Sequence, residues 1–427
     1  MTDIAPSSVF ETVESKVRSY CRAWPVVFEQ ARGSRLYDEH GRPYLDFFAG
    51  AGSLNYGHNN PVLKRALLDY LSGDGITHGL DMSTTAKRDF LETFRSAVLE
   101  PRALPYKVMF PGPTGTNAVE AALKLARKVT GRETVVSFTN AFHGMSLGSL
   151  AVTGNSVKRA GAGVPLNHAA QMPFDHYFDG QVPDFLWFER LLEDPGSGLD
   201  HPAAVIVETV QGEGGINVAR AEWLRSLAEL CRRHEMLLIV DDVQMGCGRT
   251  GEFFSFEEAG ITPDIVTLSK SISGYGLPMA LCLFRPELDV WQPGEHNGTF
   301  RGNNPAFVTA TAAIDTYWRD DALRDRTLSR AGRIERALGD LCGEDERAAL
   351  SYRGRGLVWG LEFADGERAD AVCRRAFELG LLVETSGPHG EVVKLLPALT
   401  ATDDELDEGL GILARSVRHA ADGVAAV

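Results

Sequence analysis

The lysine of TLSKSISG, Lys270, closes the apolar, β-branched run Asp264-Ile265-Val266. An ammonium is costly to take out of water, and most lysines are solvated surface groups. A lysine at the end of a buried-looking strand is therefore a candidate nucleophile or base. Two carboxylates end runs of the same kind, Glu208 after AAVIV and Asp241 in MLLIVDD. A further stretch, FPGPTGTNAVEAALKLARKVTGR, is a Gly/Pro/Thr turn leading into a helix with Ala118, Ala121, Ala122 and Leu125 on one face. Asn117 is its expected cap, with Glu120 three residues on. The free amides and positive dipole end at Gly115 and Thr116 make an anion site, most simply for a phosphate.

These residues need a scaffold that brings them together. AAVIVE (Ala203 to Glu208), MLLIVDD (Met236 to Asp242) and DIVTLSK (Asp264 to Lys270) are continuous apolar runs, as expected of strands covered on both faces. Between the first two, Trp223, Leu224, Leu227, Leu230 and Cys231 recur at helical spacing. The βαβ order makes the strands parallel, so Glu208, Asp241 and Lys270 share one rim of the sheet, where open α/β sheets bind ligands.

A cofactor with a phosphate, a basic ring nitrogen and an aldehyde would use an anion-binding helix start, a buried carboxylate and a lysine together. Pyridoxal 5'-phosphate has all three. Its lysine forms a Schiff base, and an acid beside the ring nitrogen keeps that nitrogen protonated, so the ring accepts electrons from the substrate carbon. Lys270 supplies the amine and Asp241 the acid. A rival exists in GCGRTG, Gly246 to Gly251, which follows a strand and matches G-x-G-x-x-G. It would imply an NAD-dependent oxidoreductase, but Asp241-Asp242 puts two carboxylates where a pyrophosphate would approach.

The 427 residues, 44% hydrophobic and 24% charged, are enough for two domains with a large core. We expect residues 61–317 to form a large domain with a mostly parallel sheet. Residues 318–427 should form a smaller α+β domain, and residues 1–60, with the hairpin-like SRLYDEHGRPYLDFF, should pack with it. A net charge of -15 and the lack of a Lys/Arg-rich block argue against a nucleic-acid partner. Six scattered cysteines without metal-ligand spacing suggest a reduced, cytoplasmic protein with no metal site. No signal-like start or membrane-length apolar run is seen, so neither secretion nor a membrane partner is expected.

The segments FPGPTGTNAVEAALKLAR, NAFHGMSLG, VETVQGEGG, IVDDVQMGCGRTG, PDIVTLSKSISG and HNGTFRGNN, in this order, resemble the motifs of class III (ω-amino acid) pyridoxal-phosphate aminotransferases. The resemblance implies the fold-type I α/β architecture, a homodimer or larger homo-oligomer, and small amino acid and keto acid or aldehyde substrates. Position by position, it makes Lys270 the Schiff-base lysine and proton carrier, Asp241 the partner of the ring nitrogen and Gln244 a neighbour of the ring hydroxyl. Gly115 and Thr116 become the phosphate turn, and Phe142 the aromatic stacked on the ring. His143 and Glu208 join the cofactor contacts, while Thr299 reaches the phosphate of the neighbouring subunit.

Two departures bear on substrate. Many members read H-G-R, with an arginine for a substrate α-carboxylate, where this chain has His143-Gly144-Met145. They read R-L-L-P-P-L, with an arginine paired to the glutamate of Q-G-E, where it has Lys394-Leu395-Leu396-Pro397-Ala398-Leu399. Glu213 is retained, so an ion pair with Lys394 is expected, although a lysine cannot reproduce a bidentate fork. Lys394 and Arg301 are the candidates for the missing carboxylate contact. These departures, with HGLDMSTTAKRDF, resemble the subgroup of ectoine biosynthesis that takes L-glutamate as donor and L-aspartate 4-semialdehyde as acceptor. Another ω-transaminase or an aminomutase would share the same catalytic core.

Overall fold

The computed structural model describes residues 8–178, 185–344 and 350–424. In chain order its strands are β1 (Phe28–Arg32), β2 (Arg35–Asp38), β3 (Pro43–Asp46), β4 (Lys107–Met109), β5 (Val135–Phe138), β6 (Ala169–Met172), β7 (Ala204–Val207), β8 (Val210–Gln211) and β9 (Asn217–Val218). They continue as β10 (Leu237–Asp241), β11 (Ile265–Leu268), β12 (Leu281–Phe284), β13 (Ser351–Arg355), β14 (Val358–Glu362), β15 (Leu381–Leu382), β16 (Glu384–Ser386) and β17 (Val392–Leu395).

A seven-stranded sheet in the order β4-β12-β11-β10-β7-β5-β6 forms the centre. Its pairs are parallel except where β12 runs against β11 and β4. Every residue of β5, β7, β10, β11 and β12 is buried, which is why these runs are apolar throughout rather than alternating. Helices cover both faces. Helix Ala221–Arg233 buries the five residues read from its periodicity, Trp223, Leu224, Leu227, Leu230 and Cys231. Helix Gly115–Thr130 buries Ala118, Val119, Ala121, Ala122, Leu123, Leu125 and Ala126 against the sheet.

The N-terminal hairpin β2-β3 extends into a second sheet, β1-β2-β3-β15, in which β3 lies parallel to β15 from the far end of the chain. The third sheet, β13-β14-β17-β16, carries Lys394 on β17 opposite Glu384 on β16. Helices Ala322–Glu344, Gly366–Glu378 and Asp403–Val424 accompany these strands, as the charged helical pattern after Tyr317 implied.

Two local expectations are corrected. Helix Gly115–Thr130 is capped by Thr114, not Asn117. Asn117 sits in the first turn, and its Oδ1 accepts from the Thr114 amide at 3.2 Å and hydroxyl at 2.8 Å. Glu120 does not complete a capping box. Its carboxylate reaches across to the start of helix Leu147–Ala151, where Oε1 accepts from the amides of Gly148 (2.9 Å) and Ser149 (3.1 Å), donors that helix cannot satisfy itself.

The Gly246 to Gly251 segment is a structural turn rather than a dinucleotide site. No helix follows it, so the amide cradle of that fingerprint is missing. Its Arg249 is fully buried and bonded to Leu357 O (2.9 Å), Pro397 O (2.6 Å) and Asn55 Oδ1 (2.6 Å), tying N-terminal, central and C-terminal segments together.

Candidate active site

The carboxyl ends of β5, β7, β10 and β11 converge on a cavity of about 190 Å³. Gly115, Thr116, Phe142, His143, Glu208, Glu213, Asp241, Gln244 and Lys270 all line it. The rim inferred from the βαβ order thus holds its acids and its lysine around one space.

Lys270 follows β11 and opens the 3-10 turn Lys270–Ser273 with φ +51, a left-handed conformation that costs a lysine on the order of 1 kcal/mol or more. Its neighbours hold that conformation. Ser269 Oγ donates to Met279 O (2.8 Å), and Ser271 Oγ donates to Gly52 O (2.8 Å) while accepting from Asn55 N (3.1 Å). At Gly274 (φ +76) a Cβ would meet Thr309 O at 2.8 Å and Ala313 Cβ at 2.6 Å, so helix Asn304–Tyr317 packs directly on the turn. The serines and glycine of TLSKSISG therefore aim the lysine.

Lys270 Nζ donates to Ala51 O at 2.9 Å, and Gln244 Nε2 donates to the same carbonyl at 3.0 Å. That carbonyl belongs to a left-handed stretch, Ala49 (φ 46), Gly50 (φ 58) and Ala51 (φ 55). Burial pushes the Lys270 ammonium down to about 8, against the attraction of Glu213 and with help from Lys394. A substantial neutral fraction at neutral pH suits an amine that must act as nucleophile and base.

Asp241 is fixed by three donors. His143 Nδ1 lies 2.7 Å from its Oδ2, and Thr267 Oγ1 (3.0 Å) and Val243 N (3.2 Å) donate to its Oδ1. Burial opposes the imidazolium of His143, but its bond to Asp241 outweighs this and raises its pKa. Glu208 accepts from Phe142 N at 2.9 Å, and burial pushes its carboxyl up to about 7, against the pull of His143. At the other end of the cavity the amides of Gly115 and Thr116, first in their helix, lie outside its ladder. A Cβ on Gly115 would meet Val243 Cγ1 at 2.8 Å, so only glycine leaves the backbone open there. Thr116 Oγ1 is held by Ser146 Oγ (2.6 Å) and Ser149 Oγ (2.9 Å).

Glu213 and Lys394 form the expected pair, with 2.7 Å between Nζ and Oε1. Sequence reasoning missed a third member, Glu384, whose Oε1 is 2.8 Å from the same Nζ. The Lys394 side chain is fully buried, and burial opposes its charge, yet the two carboxylates hold its pKa above the usual lysine value. Burial likewise opposes the charge of Glu213, but Lys394 and Lys270 together keep it below the ordinary carboxylate range. Burial raises Glu384, and the attraction of Lys394 does not cancel it. The two acids therefore share the lysine unequally: Lys270 draws strongly on Glu213, whereas on Glu384 the repulsion of Glu213 outweighs the attraction of Lys270.

Thr299 and Arg301 do not line the cavity of this chain. They lie on the 3-10 turn Thr299–Arg301, with Thr299 exposed and Arg301 donating to Asn297 Oδ1 at 3.1 Å.

The residues fit pyridoxal phosphate: an open helix start with free amides for the phosphate, Phe142 on the cavity wall for the ring, Asp241 for the ring nitrogen and Lys270 for the aldehyde. When bound, the cofactor supplies an electron sink that stabilises negative charge at the substrate carbon. Asp241, with its lone pairs ordered by three donors, would hold a proton on the ring nitrogen. His143 would orient Asp241 through its Nδ1. Lys270 would hold the aldehyde and move a proton at the substrate carbon, and Ala51 O, itself bonded by Gln244, restricts where its Nζ can go.

The family model for class III aminotransferases matches residues 18–417. The chain is 76% identical to a diaminobutyrate--2-oxoglutarate transaminase of Streptomyces avermitilis, over 97% of this chain and 98% of that protein. It is 69% identical to one from Nocardia farcinica (97% and 94%) and 56% identical to one from Halalkalibacterium halodurans (96% of each). Among solved structures it is similar to the ornithine aminotransferase of Toxoplasma gondii, with a TM-score of 0.82 at 26% identity over 97% of this chain and 94% of that one. An S-selective transaminase from Arthrobacter sp. shares the fold, with a TM-score of 0.82 at 22% identity over 92% and 93%. With the cavity and its lysine, these likenesses make the chain a fold-type I, pyridoxal-phosphate-dependent enzyme that belongs to the class III aminotransferases.

Proposed function

We propose that this aminotransferase moves the amino group of L-glutamate to L-aspartate 4-semialdehyde, giving 2-oxoglutarate and L-2,4-diaminobutyrate for ectoine biosynthesis. The observation that carries the reading is Lys270, Asp241 and the Gly115–Thr116 amides around one cavity, in a chain 76% identical to a protein named for the diaminobutyrate reaction. The departures at Met145 and Lys394 point the same way, because they place the substrate end of the cavity apart from members that carry arginine at both positions.

The working unit is proposed to be a homodimer. Thr299 is exposed and outside its own chain's cavity, on a turn beside Phe300, which is 68% exposed; both are available to a second copy. Six unpaired cysteines accord with a reducing, cytoplasmic setting, and among the described residues no helix is long and apolar enough to cross a membrane. A domain division near residues 60 and 317 is also proposed, on the separate sheet formed by β13, β14, β16 and β17.

Purified enzyme supplied with L-glutamate and a panel of ω-aldehydes tests the reading. Production of diaminobutyrate and 2-oxoglutarate in equal amounts is expected, with aspartate semialdehyde the preferred acceptor. Preference for another aldehyde, or amino transfer without release of 2-oxoglutarate, would overturn it.

A further inference from the structure

Both proposed substrates carry a carboxylate three C–C bonds from the carbon that exchanges nitrogen: C5 of glutamate relative to C2, and C1 of the semialdehyde relative to C4. One cation near the cavity mouth could therefore serve both half-reactions. Met145 offers none, since it is uncharged and 55% exposed. Lys394 is already shared by Glu213 and Glu384, so a substrate carboxylate there would have to displace Glu213 and still face Glu384. Arg301 already donates to Asn297 Oδ1 and to the His296 carbonyl.

Lys158 is different. It belongs to the short helix Ser156–Ala160, whose cap Asn155 accepts from the Lys158 amide at 3.0 Å, so its backbone is fixed. Its Nζ stands 4.1 Å from the ring centroid of Phe142, a cavity-lining side chain. The charge also reaches Glu213, on which it helps keep the carboxylate ionised. Among the described residues no carboxylate lies within ion-pair distance of Lys158. A cation held by the face of a cavity-lining ring, though not itself on the lining, is free to take a carboxylate at little cost in exchanged partners.

We propose that Lys158 binds the carboxylate that glutamate and the semialdehyde share, and so replaces the charge that Met145 lacks. This rests on the substrate reading above, for glutamate and for the semialdehyde alike. The aromatic face holds Nζ between turnovers, and the flexible stem lets it swing from the ring to the ligand. As a point charge it fixes the far end of the substrate without dictating the orientation of the carboxylate, which tolerates the extra α-carboxylate that glutamate brings to the reacting carbon.

The test compares Lys158→Ala and Lys158→Arg holoenzymes with the parent, using glutarate as a non-reacting dicarboxylate. In the alanine variant the calorimetric Kd for glutarate and the KM for glutamate should each rise by about fivefold or more. The half-reaction with L-alanine, which has no far carboxylate, should change by less than about twofold, and the arginine variant should recover glutarate binding. Smaller changes with glutarate, or equal losses with alanine and glutamate, would overturn the proposal. Failure of the semialdehyde reading would show instead as a parent enzyme that ignores that aldehyde while its glutarate affinity still depends on Lys158.

Discussion

His143 Nδ1 and Asp241 Oδ2 are 2.7 Å apart, and both side chains are buried, joining the loop after β5 to the carboxyl end of β10. The pair assigns the donor-acceptor pattern of Asp241 before any cofactor arrives: one oxygen faces the imidazole, the other faces Thr267 and Val243. A carboxylate so ordered does not need to reorganise when it receives the ring nitrogen.

Asp241→Asn removes the charge and keeps the shape. The variant should retain bound pyridoxal phosphate through Gly115 and Thr116, while kcat falls by about 100-fold or more. His143→Asn, which removes a direct partner of Asp241 but leaves the carboxylate itself, should lose about 10-fold. Cofactor content by absorbance and steady-state rates together check both, and an Asp241→Asn enzyme with near-parental kcat would remove its assigned role.

Lys270 must be neutral to react with an aldehyde. With its ammonium brought down to about 8, roughly a tenth of the amine is free at pH 7, against well under a thousandth for an unperturbed lysine. The rate at which apoenzyme takes up pyridoxal phosphate should rise with pH and level off above about 8. A midpoint near that of a solvated lysine would contradict the burial argument, and Lys270→Ala should abolish both covalent uptake and turnover.

Lys394→Met leaves Glu213 and Glu384 facing each other in a buried site without the cation that pairs them, with Lys270, outside ion-pair distance, left to offset them. Urea unfolding should show a loss of about 3–5 kcal/mol. The triple change with Glu213→Gln and Glu384→Gln removes all three charges and should recover most of that loss, though not activity. If the single variant unfolds like the parent, Lys394 does not offset two buried carboxylates.

The three catalytic strands were legible because each is an unbroken apolar run ending in a charged residue, and the βαβ order alone put those ends on one edge. The Glu213–Lys394 pair was accessible only through resemblance, since nothing local relates residues so far apart. Glu384 was invisible for the same reason: it faces Lys394 through the register of β16 on β17, which a five-residue turn sets. The Ala51 carbonyl carried no signal at all, being main chain, aimed by left-handed conformations at alanines that give no warning of them. Asn117 misled because a side chain that caps well also serves one turn inside, where it locks the true cap, Thr114.

Glu208 and Asp242 link stability to pH. Burial pushes each up to about 7, and the partners that oppose it, His143 for Glu208 and Ser255 for Asp242, do not cancel it. The folded chain therefore binds more protons than the unfolded one between the ordinary carboxylate range and about 7. Their contribution to stability is full below that ordinary range and is lost as pH rises through about 7. Glu208→Gln keeps the acceptor for Phe142 N while removing the titration, so unfolding curves should show a shallower fall in stability between about pH 4.5 and 7. Asp242→Asn should do the same, and the double variant should flatten the slope further. An unchanged slope in the double variant would mean that both carboxylates stay ionised in the fold.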